Sequence, residues 1–213
     1  MPTNANTIIG RREAYRCLGM SFTSPSQDFF PNAQDFNDYK LFIESTNPDA
    51  ADAAEKLRLS LDQYSPELLL IEYSRLFVGP FHIPAPPYGS VYLEDGGMVM
   101  GQSTVKVTEF YRESGLKIDE GFHDVPDHIS VELEFMQYLC HKQWDAAVEG
   151  DEDLASSIVA RQKIFLETYL IDWVPRFTER MLEGTENTFY AALADNLYRF
   201  IEYECRSILQ PMQ

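Results

Sequence analysis

The chain has 213 residues, 45% of them hydrophobic and 24% charged, a globular composition well away from that of disordered chains. Its 17 Lys and Arg face 34 Asp and Glu, a formal net charge of −17, so phosphate backbones and anionic lipid are repelled. Nucleic-acid and membrane-surface roles are thereby excluded, and a basic peptide is the kind of partner this field attracts.

The period is helical from the start. Ile8, Arg12, Tyr15, Leu18 and Phe22 recur at spacings of three and four, as on an amphipathic helix. The twin arginine Arg11-Arg12 invites a reading as an export signal, but Glu13 and Arg16 stand where a signal needs an unbroken apolar run. The segment is read as a mature N-terminal helix. Pro25 and Pro31 punctuate a loop, then Phe36, Tyr39, Phe42 and Ile43 mark a second helix. Pro48 opens a third that carries Ala50, Ala53, Leu57, Leu61 and Tyr64. Ser65-Pro66-Glu67 reads as cap, first helical residue and dipole-favoured acid of a fourth, with Leu69, Tyr73, Leu76 and Phe77 on it and Gly79-Pro80 as its stop.

Prolines exclude regular helix through residues 79–90. Val91-Tyr92-Leu93 and Met98-Val99-Met100 flank Asp95-Gly96-Gly97, the only pattern that suggests a short hairpin. Helices resume at Ser103, expected as a cap, and run to Tyr111, with Gly115 as a stop. Pro126 opens a long helix with Ile129, Leu133, Met136, Cys140 and Trp144, ending near Gly150. Asp151 to Tyr169 repeats the pattern, and Pro175 is expected to break or kink the helical stretch after it. The last helix starts near Asn187 and uses Tyr190, Leu193, Leu197, Phe200 and Ile208. The fold class is all-α, one compact domain over residues 1–213 with a proline-rich central connector at 79–101. Cys17, Cys140 and Cys205 are scattered and odd in number, which reads as reduced, buried thiols in a cytoplasmic protein.

Several patterns suggest chemistry. Gly96 to Ser103 has the spacing of a phosphate-binding loop, but Gln102 replaces its lysine, and a neutral amide cannot supply that charge. His128 and Glu132 share a helix face at i, i+4, with His123 upstream, yet a catalytic zinc needs three protein ligands. No local nucleophile motif is present, so an enzyme is nowhere indicated by these residues, though the sequence leaves one open. Phe81, Tyr88 and Tyr92, on or beside the connector, suit either an apolar peptide or a loop tucked on its own domain.

Three segments, in order, carry a family likeness: Arg75-Leu76-Phe77-Val78-Gly79-Pro80, then Pro84-Ala85-Pro86-Pro87-Tyr88-Gly89-Ser90-Val91-Tyr92, then Pro126-Asp127-His128. With Met100-Gly101-Gln102-Ser103-Thr104 between them, the middle third resembles the TorD/DmsD family of cytoplasmic chaperones for molybdenum-cofactor oxidoreductases. The resemblance implies an all-helical, non-enzymatic protein with no cofactor. Its partners would be the twin-arginine signal peptide and the apo catalytic subunit of a molybdoenzyme, held back until the cofactor is inserted. Neither nucleic acid nor stable membrane insertion is implied, and the chaperone would be a monomer or a dimer. Carried over by motif, the peptide-binding positions are Tyr73, Leu76, Phe77, Phe81, Gly101, Asp127 and His128, with Pro86, Pro87 and Tyr88 of the connector beside them. Phe81 stands where some DmsD-type members have tryptophan. Two other readings are a small helical metal-dependent enzyme built on His128 and Glu132, and a generic acidic helical adaptor.

Overall fold

The computed structural model describes residues 5–26, 28, 30–79, 82–116 and 125–209, with side chains as far as 207. Among these residues there are ten α-helices and no strand: α1 (Ala5–Ser21), α2 (Ala33–Thr46), α3 (Ala51–Leu61), α4 (Pro66–Tyr73), α5 (Gly89–Leu93), α6 (Gln102–Glu113), α7 (Ile129–Glu149), α8 (Glu152–Phe165), α9 (Val174–Gly184) and α10 (Thr188–Leu209). Helix α4 continues as a π-helical turn, Ser74–Val78, and α8 as another, Leu166–Leu170. No helix among the described residues is long and apolar enough to cross a membrane.

Local chemistry explains most boundaries. The Ser65 hydroxyl accepts from Leu68 N–H and Pro66 takes the first helical position, as the sequence predicts. Asp151 caps α8 through Leu154 N–H, Asn187 accepts from Phe189 and Tyr190 N–H at the start of α10, and left-handed Gly150 ends α7. Pro175 does not break a helix. It sits in the first turn of α9, where its missing N–H has no intrahelical partner to lose.

The expected hairpin is not there. Val91, Tyr92 and Leu93 form the end of helix α5, and residues 94–101 return as turn and bend to α6. Short apolar runs do not distinguish strand from buried helix, and here Glu94 N–H closes a helical turn on Ser90 O at 3.2 Å. Nor does Ser103 cap α6. Gly101 is the N-cap residue, and the Glu94 carboxylate accepts both Ser103 N–H and Ser103 Oγ–H at 2.6 Å.

Helix α1 lies along α7, and α10 packs on α3 and α9. The core is aromatic: Phe77 touches the rings of Phe22, Tyr73, Phe177 and Tyr190, while Trp173 stacks on Tyr92. All three cysteines are free and buried, as expected, and burial pushes the Cys140 thiol up to about 12.

The N-terminal stretch buries Ile8, Tyr15, Leu18 and Phe22 as predicted and differs at its arginine. Arg11, not Arg12, lies on the buried stripe. Its Nε and Nη2 donate to Glu204 of α10 at 2.6–3.0 Å, Nη2 also to Gln162 of α8 at 2.9 Å, and Nη1 to Gln143 of α7 at 3.3 Å. Tyr15 Oη donates to the same Glu204 carboxylate at 2.9 Å. Burial opposes the charge on Arg11, but Glu204 beside it raises its pKa well above the ordinary value. Hydrophobic period counts Arg11 as polar and passes it over, because its partners lie more than 130 residues away.

Breaking this pair from one side leaves a buried charge uncompensated. Arg11→Met is expected to cost about 3–5 kcal/mol, and Arg11→Met with Glu204→Leu to recover most of that loss. Urea denaturation of both variants checks this; a single variant as stable as the parent would show that the network contributes nothing.

Candidate functional site

The connector is fixed to the start of α7 by its backbone. Ile129 N–H donates to Pro87 O and Gly89 N–H to Asp127 O, each at 2.9 Å, and Tyr88 and His128 form an antiparallel bridge between them. The bridge sets the two rings side by side, edge to face at 5.3 Å. His128 is the N-cap of α7, where its Nδ1 accepts from Ser130 N–H, so an accepting Nδ1 leaves the ring proton on Nε2.

This junction opens onto a cavity of about 650 Å³. Helix α1 and the turn after it contribute Arg16, Gly19, Met20 and Thr23; α4 contributes Tyr73, the connector Tyr88, and α7 Ser130, Val131, Glu134 and Gln137, with His128 at its start. Gly19 allows the two long walls to meet: a Cβ there would come within 3.3 Å of Leu133 Cβ and 3.5 Å of Ser130 O. Arg16 is held by Glu13 at 2.7 Å and by Asp35 at 2.5 Å, two carboxylates on one cation.

The ten residues singled out from the sequence fall into separate places. Tyr73, Tyr88 and His128 line the cavity together. Leu76 and Phe77 are 0% and 3% exposed and belong to the core; Pro87 is buried and Pro86 half-buried. Gly101 lines a different hollow, with Thr104, Val105 and Pro126. Phe81 lies outside the described residues, as does His123. The α1 wall was missed altogether, because Gly19, Met20 and Thr23 carry no motif and show only by packing.

Asp127 does not sit in the first turn of α7, as Pro126 suggested. Helix α7 begins two residues later at Ile129, and Asp127, 2% exposed, turns its Oδ2 to Ser90 N–H at 2.7 Å, capping α5 instead. Glu132 points away from His128 into the core, where Trp173 Nε1–H donates to it at 3.1 Å. Gly89 admits this bond, since a Cβ there would lie 3.2 Å from Trp173 Nε1 and 3.4 Å from Glu132 Oε1. His128 and Glu132 therefore do not converge as a ligand pair. Among the described residues, no group of three or more His, Cys, Asp or Glu side chains could hold a metal ion.

Burial raises the Glu132 pKa well above the ordinary carboxylate value, with Asp127 adding to the shift and the Trp173 bond opposing it. A raised folded pKa means stability that is full in acid and declines as pH climbs through and beyond the carboxylate range. Glu132→Gln keeps an acceptor for Trp173 without the titration. It is expected to match the parent in acid and to exceed it increasingly towards pH 8, as read by urea denaturation at each pH; parallel pH profiles would contradict this. At Gly101 an added Cβ would collide with the Glu94 carboxylate that caps α6. Gly101→Ala and Glu94→Ala are thus expected to lower the melting temperature by similar amounts, and the double variant little further.

Comparison with known proteins agrees with this architecture. Residues 44–179 match the family model described as "Nitrate reductase delta subunit". A chaperone protein TorD from Psychrobacter sp. is 30% identical over 68% of this chain and 63% of its own length. The Tat proofreading chaperone DmsD of Salmonella typhi is 27% identical over 67% of this chain and 63% of its own. This chain thus spans a little under two thirds of the length of each of these two relatives. The crystal structure of a candidate redox enzyme maturation protein from Archaeoglobus fulgidus superposes with a TM-score of 0.57 over 90% of this chain and 93% of that one, at 24% identity, a likeness of fold. With its all-helical architecture and a family match over most of its length, the chain belongs to the nitrate reductase delta subunit family, the family of the TorD and DmsD redox-enzyme maturation chaperones.

Proposed function

We propose that the protein is a cytoplasmic chaperone that binds the twin-arginine signal peptide of an apo molybdoenzyme catalytic subunit in the cavity between α1, α4 and α7, with residues 1–213 acting as one domain. The observation that carries this reading is the convergence of Tyr73, Tyr88 and His128 on one hollow of about 650 Å³. Such a hollow suits a few peptide side chains, not a whole helix. Half-buried aromatic walls beside carboxylates fit a segment that combines arginine with apolar residues. The net charge of −17 favours approach of the basic end.

In this reading the motif residues divide their work. Tyr73, Tyr88 and His128 contact the peptide. Leu76, Phe77, Pro86 and Pro87 hold the wall in place from behind, Asp127 anchors the α5 end of the connector, and Gly101 acts at α6 through Glu94. The names of the relatives support the assignment: one is a Tat proofreading chaperone, the other a chaperone protein TorD.

Calorimetry of a synthetic twin-arginine leader peptide tests it. Affinity is expected to fall with added salt, because exposed charges are screened over roughly 8–10 Å at physiological ionic strength. Tyr88→Ala is expected to weaken binding by on the order of tenfold, while Leu76→Ala chiefly lowers stability. Binding that is indifferent to salt and to Tyr88→Ala, or equally strong for an apolar peptide without arginine, would favour a generic adaptor instead.

A further inference from the structure

Two arginines of α1 pair with carboxylates, and they are held in different ways. Arg11 and Glu204 are sealed, their side chains 8% and 0% exposed. Arg16, 31% exposed, lines the cavity and pairs with Glu13 and Asp35, themselves 32% and 15% exposed. The first pair cannot change partners without unfolding, whereas the second is open to solvent and to exchange.

The seat of Arg16 grips the whole guanidinium. Its Nε–H donates to Glu13 Oε2 at 2.7 Å, its Nη2–H to Asp35 Oδ1 at 2.5 Å, and its Nη1–H meets Met20 Sδ at 3.5 Å. Both carboxylates are also fixed from behind. Asp35 Oδ2 accepts Asn32 N–H at 2.9 Å in the capping box of α2, and Glu13 Oε1 accepts from Arg12 Nε–H at 2.9 Å. They are therefore tied in place by more than Arg16. Burial opposes the charge on Glu13, yet its bonds to Arg16 and Arg12 hold its pKa below the ordinary carboxylate value. Asp127 and Glu132, by contrast, are 2% and 1% exposed and are held by Ser90 N–H and Trp173. What sets Glu13 and Asp35 apart is their partner, which is the same group that an arginine peptide brings. Exchange of one guanidinium for another conserves the hydrogen bonds and the charge of the seat.

We propose that Glu13 and Asp35 form the arginine seat of the cavity and that Arg16 fills it at rest, giving way to the guanidinium of an arginine-bearing peptide. This rests on the peptide-binding reading above. Arg16 is a wall residue with the two carboxylates at the end of its side chain, so its withdrawal opens the hollow towards them. A resident competitor lowers the apparent affinity by the fraction of molecules whose seat is filled. Lysine, a point charge, cannot reproduce the planar fork.

Two measurements compare the full chain with Arg16→Met, which keeps the apolar stem and loses the guanidinium. In the first, N-acetyl-arginine amide is expected to raise the melting temperature of Arg16→Met and to leave the parent unchanged, with much less effect from N-acetyl-lysine amide. No rise would overturn the seat. In the second, leader peptides identical except for Arg-Arg or Lys-Lys are titrated calorimetrically. Arg16→Met is expected to bind the arginine peptide on the order of tenfold more tightly than the parent does, with little gain for the lysine peptide. Adding Asp35→Asn, which keeps an acceptor for the α2 cap, should cancel that gain. An equal gain for both peptides would reduce the effect to net charge and overturn the proposal. Loss of arginine preference in Glu134→Gln but not in Asp35→Asn would overturn it too. If the amide stabilises Arg16→Met but that variant binds the arginine peptide no better than the parent, the exchange is overturned and the cavity reading stands. If neither protein binds either peptide, the peptide reading falls and takes the proposal with it.

Discussion

The buried guanidinium of Arg11 is the fixed point of this molecule. It joins α1 to α7, α8 and α10 at once, through Gln143, Gln162 and Glu204. A charge at 7% exposure is tolerated only with its donors nearly all used, and that requirement prescribes where four helices stand relative to one another. Apolar packing is permissive about small slides and rotations, whereas a five-donor fork is not. Since Arg16, Gly19 and Met20 come after Arg11 on the same helix, the register that it imposes is also the register of one cavity wall.

The opposite wall is fixed by different means. There the connector is tied to α7 by two main-chain hydrogen bonds flanking the Tyr88–His128 bridge. Behind it, Asp127 holds Ser90 N–H, and Gly89 rests against the Trp173–Glu132 bond. The cavity thus has one wall set by an ion pair and another set by backbone. Side chains that face the space are largely separate from those that shape it, and short motifs mix the two sorts: Pro126-Asp127-His128 contains one residue that faces the hollow and one that props it.

Helix positions were legible because their signals are local. The Ser65-Pro66 start, the Asp151 cap and the Gly150 stop each act within a few residues of their own place in the chain. The motif residues Tyr73, Tyr88 and His128 were legible as a group through family likeness, and they do share one hollow. What could not be read needed distant partners. Arg11 looked like a surface charge until Glu204 was placed beside it, and Asp127 looked like a first-turn acid until α5 presented Ser90 N–H. The hairpin expectation failed because Val91-Tyr92-Leu93 is too short for period to decide between strand and helix. Gly19, whose bare backbone lets α1 and α7 approach, has no sequence mark beyond being glycine.

Burial of Arg11 also bears on self-recognition. The chain carries an adjacent pair of arginines, Arg11 and Arg12, the same dipeptide that its proposed ligand displays. In the folded protein the first is sealed among Glu204, Gln143 and Gln162, and the second is half-buried beside Glu13 on a continuous helix. Folding therefore withdraws the dipeptide as a competitor: one copy cannot offer its own arginine pair to the cavity of another without first losing the contacts that build the cavity. On the proposed reading, the chain's own arginine pair stays unavailable for as long as the fold that forms the cavity stands.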